Sequence, residues 1–256
     1  MTIKGLLIDL DGVLYTGDSA IDGAQRAIDL LGESGYRLRF VSNTTRKCRR
    51  TIAGRLQQMG FSIRETAIFT PPLAAVAFMK ASGKETFMLL TTGDVEKDFP
   101  QDGRWTFGQE RTDYVIIGDA GENMTYANLT HAFRLIRDGA GIIALEKDRY
   151  WMASEGLMLS AGPFVAALEY ATGRSATVIG KPSRHFFTMA LDDLGLPANE
   201  VAMVGDDIIT DIAGAKNAGM RAILVRTGKF SHIDLEKTSI KPDEVIDSIV
   251  HLEAAL

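Results

Sequence analysis

Short apolar runs of strand length alternate with helix-length amphipathic segments along the whole 256-residue chain. The runs fall at residues 4–9, 37–42, 86–91, 114–118, 141–146, 201–205 and 222–226. The amphipathic stretches lie at 24–34, 46–59, 126–137, 163–172, 185–194 and 210–218. Gly35, Gly60, Gly139, Gly173, Gly195 and Gly219 follow those stretches closely, where glycine commonly ends a helix. Strands separated by helices pair in parallel, and a parallel sheet must be covered on both faces. The pattern predicts an α/β fold, a doubly wound parallel sheet flanked by helices.

Two interruptions bear on domain organisation. Pro71-Pro72 follows Ile68-Phe69-Thr70, and Gly180-Lys181-Pro182 follows the run at 176–179. The roughly 100 residues between them suffice for a small domain. Their β-α alternation fits an inserted domain or the continuation of one large sheet.

The chemistry gathers just after the strands. The first run ends in Asp9-Leu10-Asp11-Gly12. Alternate strand residues face the same side, so the two carboxylates leave together, and the glycine frees the chain to turn. Two such charges about 4 Å apart at an effective dielectric near 20 repel by about 4 kcal/mol. The pair needs a cation, a shared proton or a positive neighbour, unless it is only the polar turn that ends many strands. After the second run comes Ser42-Asn43-Thr44-Thr45. Hydroxyls and N–H groups at a helix start suit a phosphate, and they equally suit plain capping. Lys181 precedes a proline that stiffens its turn; it is either the cation an anionic substrate needs or a surface lysine. Val204-Gly205-Asp206-Asp207 and then Asp211 close the series. Asp211 lies one helical turn beyond Asp207, and one of these acids is expected to cap the helix.

In open parallel sheets, sites form beyond the carboxyl ends of the strands, so four such clusters can converge. Together they offer hard oxygens for Mg²⁺, a carboxylate nucleophile and a lysine to offset phosphoryl charge.

Other classes are disfavoured. A net charge of −5 without a basic run argues against nucleic acid as partner. The single cysteine, Cys48, excludes an intrachain disulfide and a cysteine zinc site, and it is expected to pack rather than react. His131, His185, His232 and His251 are too scattered for a metal spacing. No charge-free apolar stretch reaches the roughly 18 residues of a membrane span, and no signal pattern opens the chain. A cytoplasmic location without membrane association is expected.

Asp9–Gly12, Ser42, Lys181 and Gly205–Asp211 match in type and order the four motifs of the haloacid dehalogenase (HAD) superfamily, which the whole chain resembles. Within subclass IIA, Ser42-Asn43-Thr44-Thr45, Gly156-Leu157-Met158-Leu159, Gly180-Lys181-Pro182-Ser183 and Arg226-Thr227-Gly228-Lys229-Phe230 look most like the branch of phospholysine phosphohistidine inorganic pyrophosphate phosphatase. The resemblance implies a catalytic core of residues 1–75 and 180–256 with an inserted α/β cap at 76–179. It implies a Mg²⁺-dependent phosphatase of small phosphorylated molecules, including pyrophosphate or N-phosphorylated compounds. Asp9 would be the nucleophile and Asp11 the acid and base. Ser42, Asn43 and Thr44 would bind substrate, and Lys181 would hold phosphate and nucleophile together. Mg²⁺ would lie on Asp9, the Asp11 carbonyl and Asp206, with Asp207 and Asp211 behind them. Substrate selection would fall to the cap, at residues 146–150 and 160–163, and the cap would allow a homodimer. A phosphoacceptor without turnover, or a phosphomutase, would use the same residues.

Overall fold

The structure is a computed structural model describing residues 2–102, 111–153 and 156–256. By internal contacts it divides into two compact units. One comprises Met1–Ser42, Arg50–Phe69 and Lys181–Leu256, the other Asn43–Arg49 and Thr70–Gly180.

The first unit is built on a six-stranded parallel sheet. Its spatial order is Glu244–Ile246, Arg221–Val225, Val201–Gly205, Gly5–Asp9, Arg37–Val41 and Ile68–Phe69. The chain starts at the centre, winds outward one way, then returns to wind outward the other way. This is the doubly wound sheet expected from the sequence. The switch point lies between Gly5–Asp9 and Val201–Gly205, with Leu7 opposite Met203. Leu6, Ile8, Ala202, Val204, Ile223 and Val225 share one apolar cluster with Ala24, Ile28 and Leu31 of the Ala24–Glu33 helix. Leu7 and Met203, equally buried, take the opposite face by the strand's alternation. The Arg184–Leu194 helix brings Phe186 to 5.4 Å from Phe69, ring centre to ring centre. Burial on both faces explains why these strands read as unbroken apolar runs.

The second unit holds a four-stranded parallel sheet in the order Thr177–Val178, Gly141–Ala144, Tyr114–Ile117 and Phe87–Leu90. Helix Tyr126–Arg137 packs Ala132, Leu135 and Ile136 into its core with Val165 and Leu168 of helix Gly162–Thr172. An antiparallel hairpin pairs Tyr150–Ala153 with Gly156–Leu159.

Several sequence expectations need correction. Pro71-Pro72 does not break structure but opens the Pro71–Ala81 helix, where a missing N–H costs nothing. The helix expected from residue 46 begins at Arg49. Its first amides are taken by carboxylates: Cys48 N–H donates to Asp94 (2.9 Å) and Arg49 N–H to Asp98 (2.9 Å). The helix expected at 210–218 is a π-helix, Ile208–Ala213, running into a short α-helix, Gly214–Asn217. The strands Ile68–Phe69, Thr177–Val178 and Glu244–Ile246, at two or three residues, were too short for periodicity to reveal. Among the described residues no helix is long and apolar enough to cross a membrane.

Candidate active site

Asp9 is the last residue of the strand at the switch point, where a crevice beyond the sheet is a consequence of topology. It is buried, and Lys181 Nζ donates to its Oδ1 at 2.6 Å. The same ammonium donates to Asp211 Oδ1, also at 2.6 Å. Asp211 is fully buried, and its Oδ2 accepts the Asp207 N–H at 3.2 Å. Asp211 reaches this position because residue 205 is glycine: a Cβ there would lie 2.3 Å from Asp211 Cβ.

Asp206 completes the cluster. Its carboxylate accepts the Lys229 N–H at 2.7 Å. It is seated between two glycines with left-handed backbone, Gly12 at φ +83° and Gly228 at φ +63°. A Cβ on either would fall 1.9 or 2.1 Å from Asp206 Oδ2. The Thr227 hydroxyl donates to the Gly12 carbonyl and ties the two glycine loops together. Carboxylate oxygens of Asp9, Asp206 and Asp211 lie within 4.8 Å of one another.

Burial governs the electrostatics. It pushes Asp206 up to about 6, against the Lys229 N–H bond. It pushes Asp211 up to about 6 against the pull of Lys181. Asp9 is raised too: burial acts against Lys181, and the Asp206 charge adds to it. Burial works to lower Lys181, but Asp211 and Asp9 outweigh it and lift the ammonium above its ordinary range. Lys181 is therefore a fixed positive charge. One ammonium facing three buried carboxylates leaves two negative charges uncompensated when all are ionised. Clustered hard oxygens with that deficit fit a small divalent cation.

The remaining expected site residues are placed as follows. Asp11 is exposed and outside this cluster; a β-bridge pairs it with Tyr15. Ser42 immediately follows Val41, the register partner of Asp9, and its N–H donates to the Phe69 carbonyl at 3.2 Å. Asn43 and Thr44 group with the second unit, where Asn43 Oδ1 would lie 2.6 Å from a Cβ on Gly180. Asp207 caps the π-helix, accepting the Ile209 and Thr210 N–H groups at 2.8 and 2.9 Å. A cavity of about 580 Å³ opens beside Asp206 and Asp207, with Lys229 and Phe230 in its wall. Gly12 and the stretch at 226–230 are among the segments that carry the family resemblance, but their role in seating Asp206 was not read from the sequence.

In the second unit, two residues expected to face substrate are otherwise engaged. Glu146 is buried and accepts the Ser160 hydroxyl (2.6 Å) and the Ala161 N–H (2.8 Å). Lys147 pairs with Glu169 at 2.7 Å.

Residues 6–103 match the family Haloacid dehalogenase-like hydrolase, and residues 178–252 match the family HAD-hydrolase-like. Human phospholysine phosphohistidine inorganic pyrophosphate phosphatase is 38% identical over 253 residues, covering 96% of this chain and 92% of its own. Bovine haloacid dehalogenase-like hydrolase domain-containing protein 2 is 41% identical over 251 residues, 97% of this chain and 94% of its own. Among solved structures, the p-nitrophenyl phosphatase from Archaeoglobus fulgidus superposes with a TM-score of 0.90 at 30% identity, covering 100% of both chains. NagD from E. coli K-12 gives 0.89 at 25% identity over 98% of both.

Proposed function

The chain belongs to the haloacid dehalogenase-like hydrolase family and is a phosphatase of that type; on that premise we propose that it hydrolyses small phosphorylated molecules with Mg²⁺ through an aspartyl-phosphate on Asp9. The observation that carries this reading is the bond from Lys181 to one oxygen of Asp9 alone. The ammonium occupies Oδ1 and leaves Oδ2 as the attacking atom. As Oδ2 bonds to phosphorus, the bond to the leaving oxygen breaks, and Asp11 supplies that oxygen's proton. Asp11, now a carboxylate, takes a proton from water as the water attacks phosphorus. The P–O bond to Asp9 breaks, inorganic phosphate leaves, and both residues return to their starting states. Exposure suits Asp11 to exchanging protons with a leaving group and with water. Burial suits Asp9 to attack without a hydration shell.

Asp9, Asp206 and the Asp11 carbonyl would hold Mg²⁺, which when bound supplies positive charge against the phosphoryl oxygens. Lys181 contributes the same from the protein side, and Asp211 keeps it aimed at Asp9. Ser42, Asn43 and Thr44 are assigned to the phosphoryl oxygens, and the second unit to a substrate-selecting cap. Pyrophosphate and N-phosphorylated side-chain analogues, named for the human relative, are the first substrates to try.

The test is phosphate release from p-nitrophenyl phosphate, pyrophosphate and an N-phosphoryl compound, with Mg²⁺ or chelator. Mg²⁺-dependent release is expected, lost at least about 10³-fold in Asp9→Asn. Release that survives this substitution, or that ignores chelation, rejects the mechanism.

A further inference from the structure

Asp11 lies outside the buried cluster, between the strand that ends at Asp9 and a loop whose backbone is joined to it. That loop forms a small antiparallel hairpin, Tyr15–Thr16 paired with Ser19–Ala20, turning through Gly17 and Asp18. A two-stranded hairpin of this size is marginal in water without outside support. Its tip has no apolar anchor, for Thr16, Gly17, Asp18 and Ser19 are all exposed. Yet the hairpin is continuous with Asp11. Tyr15 pairs with Asp11 in a bridge, and the Tyr15 carbonyl accepts the Gly12 N–H at 2.7 Å.

The apolar core holds the root of the hairpin through Tyr15 and Ala20, and an arginine from outside the loop holds its exposed tip. Arg55 projects from the Arg49–Gln58 helix. Its Nη2 donates to the Gly17 carbonyl at 2.6 Å and to Asp18 Oδ1 at 3.0 Å. Its guanidinium carbon lies 4.7 Å from the centre of the Tyr15 ring. A single planar cation thus grips the tip of the hairpin and the residue at its root. Desolvation and two bonds favour ordering more than an exposed ion pair would, since Tyr15 is buried and Arg55 is about one-third exposed. Asp11 and Arg55 act oppositely on the same phenol: burial and the Asp11 charge push Tyr15 up to about 12 while Arg55 opposes them. The phenol therefore stays neutral beside Asp11.

The geometry points to Arg55 as a positioning residue of the reaction, clamping the Tyr15–Ala20 hairpin so that Asp11 meets the leaving-group oxygen. The inference rests on the reading of Asp11 as general acid. Arg55 touches the loop and not the reacting atoms.

The test compares kcat/KM for phenyl phosphate and p-nitrophenyl phosphate, two substrates of similar shape. Phenolate is the poorer leaving group and needs the proton more. Kcat/KM covers the steps up to phenol release, before water enters. Arg55→Ala is expected to lose about tenfold more on phenyl phosphate than on p-nitrophenyl phosphate, a fraction of what a general acid contributes. Arg55→Lys keeps a cation over the ring but not the fork, and should recover part of the loss. Asp18→Ala removes a side chain that is 97% exposed, so it leaves the fold intact and should show the same bias more weakly. A loss equal on both substrates, or no loss, in all three variants overturns the clamp. Asp11→Asn separates the two ideas: if it shows no leaving-group bias, the reading of Asp11 fails. If it shows the bias and the Arg55 and Asp18 variants do not, only the clamp fails.

Discussion

Asp206 shows how far one residue's surroundings can work against the fold. Its carboxyl, ordinarily near 3.8, is pushed up to about 6, chiefly by burial. A group with a raised folded pKa favours the folded state in its protonated form. That contribution is present in full below about pH 4 and is lost as the pH rises through about 6. The cost at neutral pH reaches up to about 3 kcal/mol, at 1.36 kcal/mol per unit. Asp206→Asn removes the charge but keeps an oxygen to accept the Lys229 N–H. In chelator, this variant should gain stability over the parent at pH 7.5 and much less at pH 4.5, read from urea midpoints. Parallel midpoints at both pH values would show that burial of Asp206 carries no such cost. With Mg²⁺ the order at pH 7.5 should reverse, since a cation stabilises the charged form that the fold alone disfavours.

At the scale of elements, a buried carboxylate joins two backbone hydrogen bonds, Ser160 N–H to the Arg149 carbonyl and Gly162 N–H to the Asp148 carbonyl, in closing the hairpin of the second unit. Glu146 stands before Tyr150–Ala153 and bonds Ser160 and Ala161, just after Gly156–Leu159. It helps to close the base of the hairpin. Burial raises its carboxyl while the Ser160 and Ala161 bonds pull it down, the sign of a group ordered inside the protein. Glu146→Ala leaves the Ala161 N–H unpaired and should cost about 1–3 kcal/mol. Faster amide exchange at Leu157 and Leu159, with Phe87–Leu90 unchanged, is the expected signature. Exchange that rises equally in both places would mean a global effect instead. This closure also shows where sequence reading stops. The long buried strands were legible, because burial on both faces writes a continuous apolar run. The acids at their ends were legible, because parallel strands bring their carboxyl ends to one edge. The base of the hairpin was not. Glu146 and Ser160 lie 14 residues apart with no shared period, and a buried glutamate in a polar loop looks like a solvated one. The π-helix that carries Asp211 was hidden for a similar reason. Its wider turn comes with the close approach of Asp211 to Gly205, a tertiary contact that local propensity does not encode.

Across the whole molecule, the acidic cluster lies wholly within the unit made from three separate chain segments. Binding to the folded state alone should raise the opening free energy of that unit more than that of the other. Mg²⁺ is expected to slow amide exchange in Gly5–Asp9, Val201–Gly205 and Arg221–Val225. It should leave Phe87–Leu90, Tyr114–Ile117 and Gly141–Ala144 nearly unchanged. Equal protection in both sets would place the cation elsewhere or couple the units in one opening event. The same chain order has a consequence during synthesis. Gly5–Asp9 is the central strand, and its partner Val201–Gly205 lies almost 200 residues later. At about 5–20 residues per second, a ribosome takes roughly 10–40 s to reach that partner. Throughout that interval Leu6, Leu7 and Ile8 present a bare strand edge to the crowded cell, the kind that recruits strands from other chains. Of the strands that gain two neighbours, Gly5–Asp9 thus waits longest for its second one, which makes the nascent chain a natural client for a chaperone until Val201–Gly205 emerges.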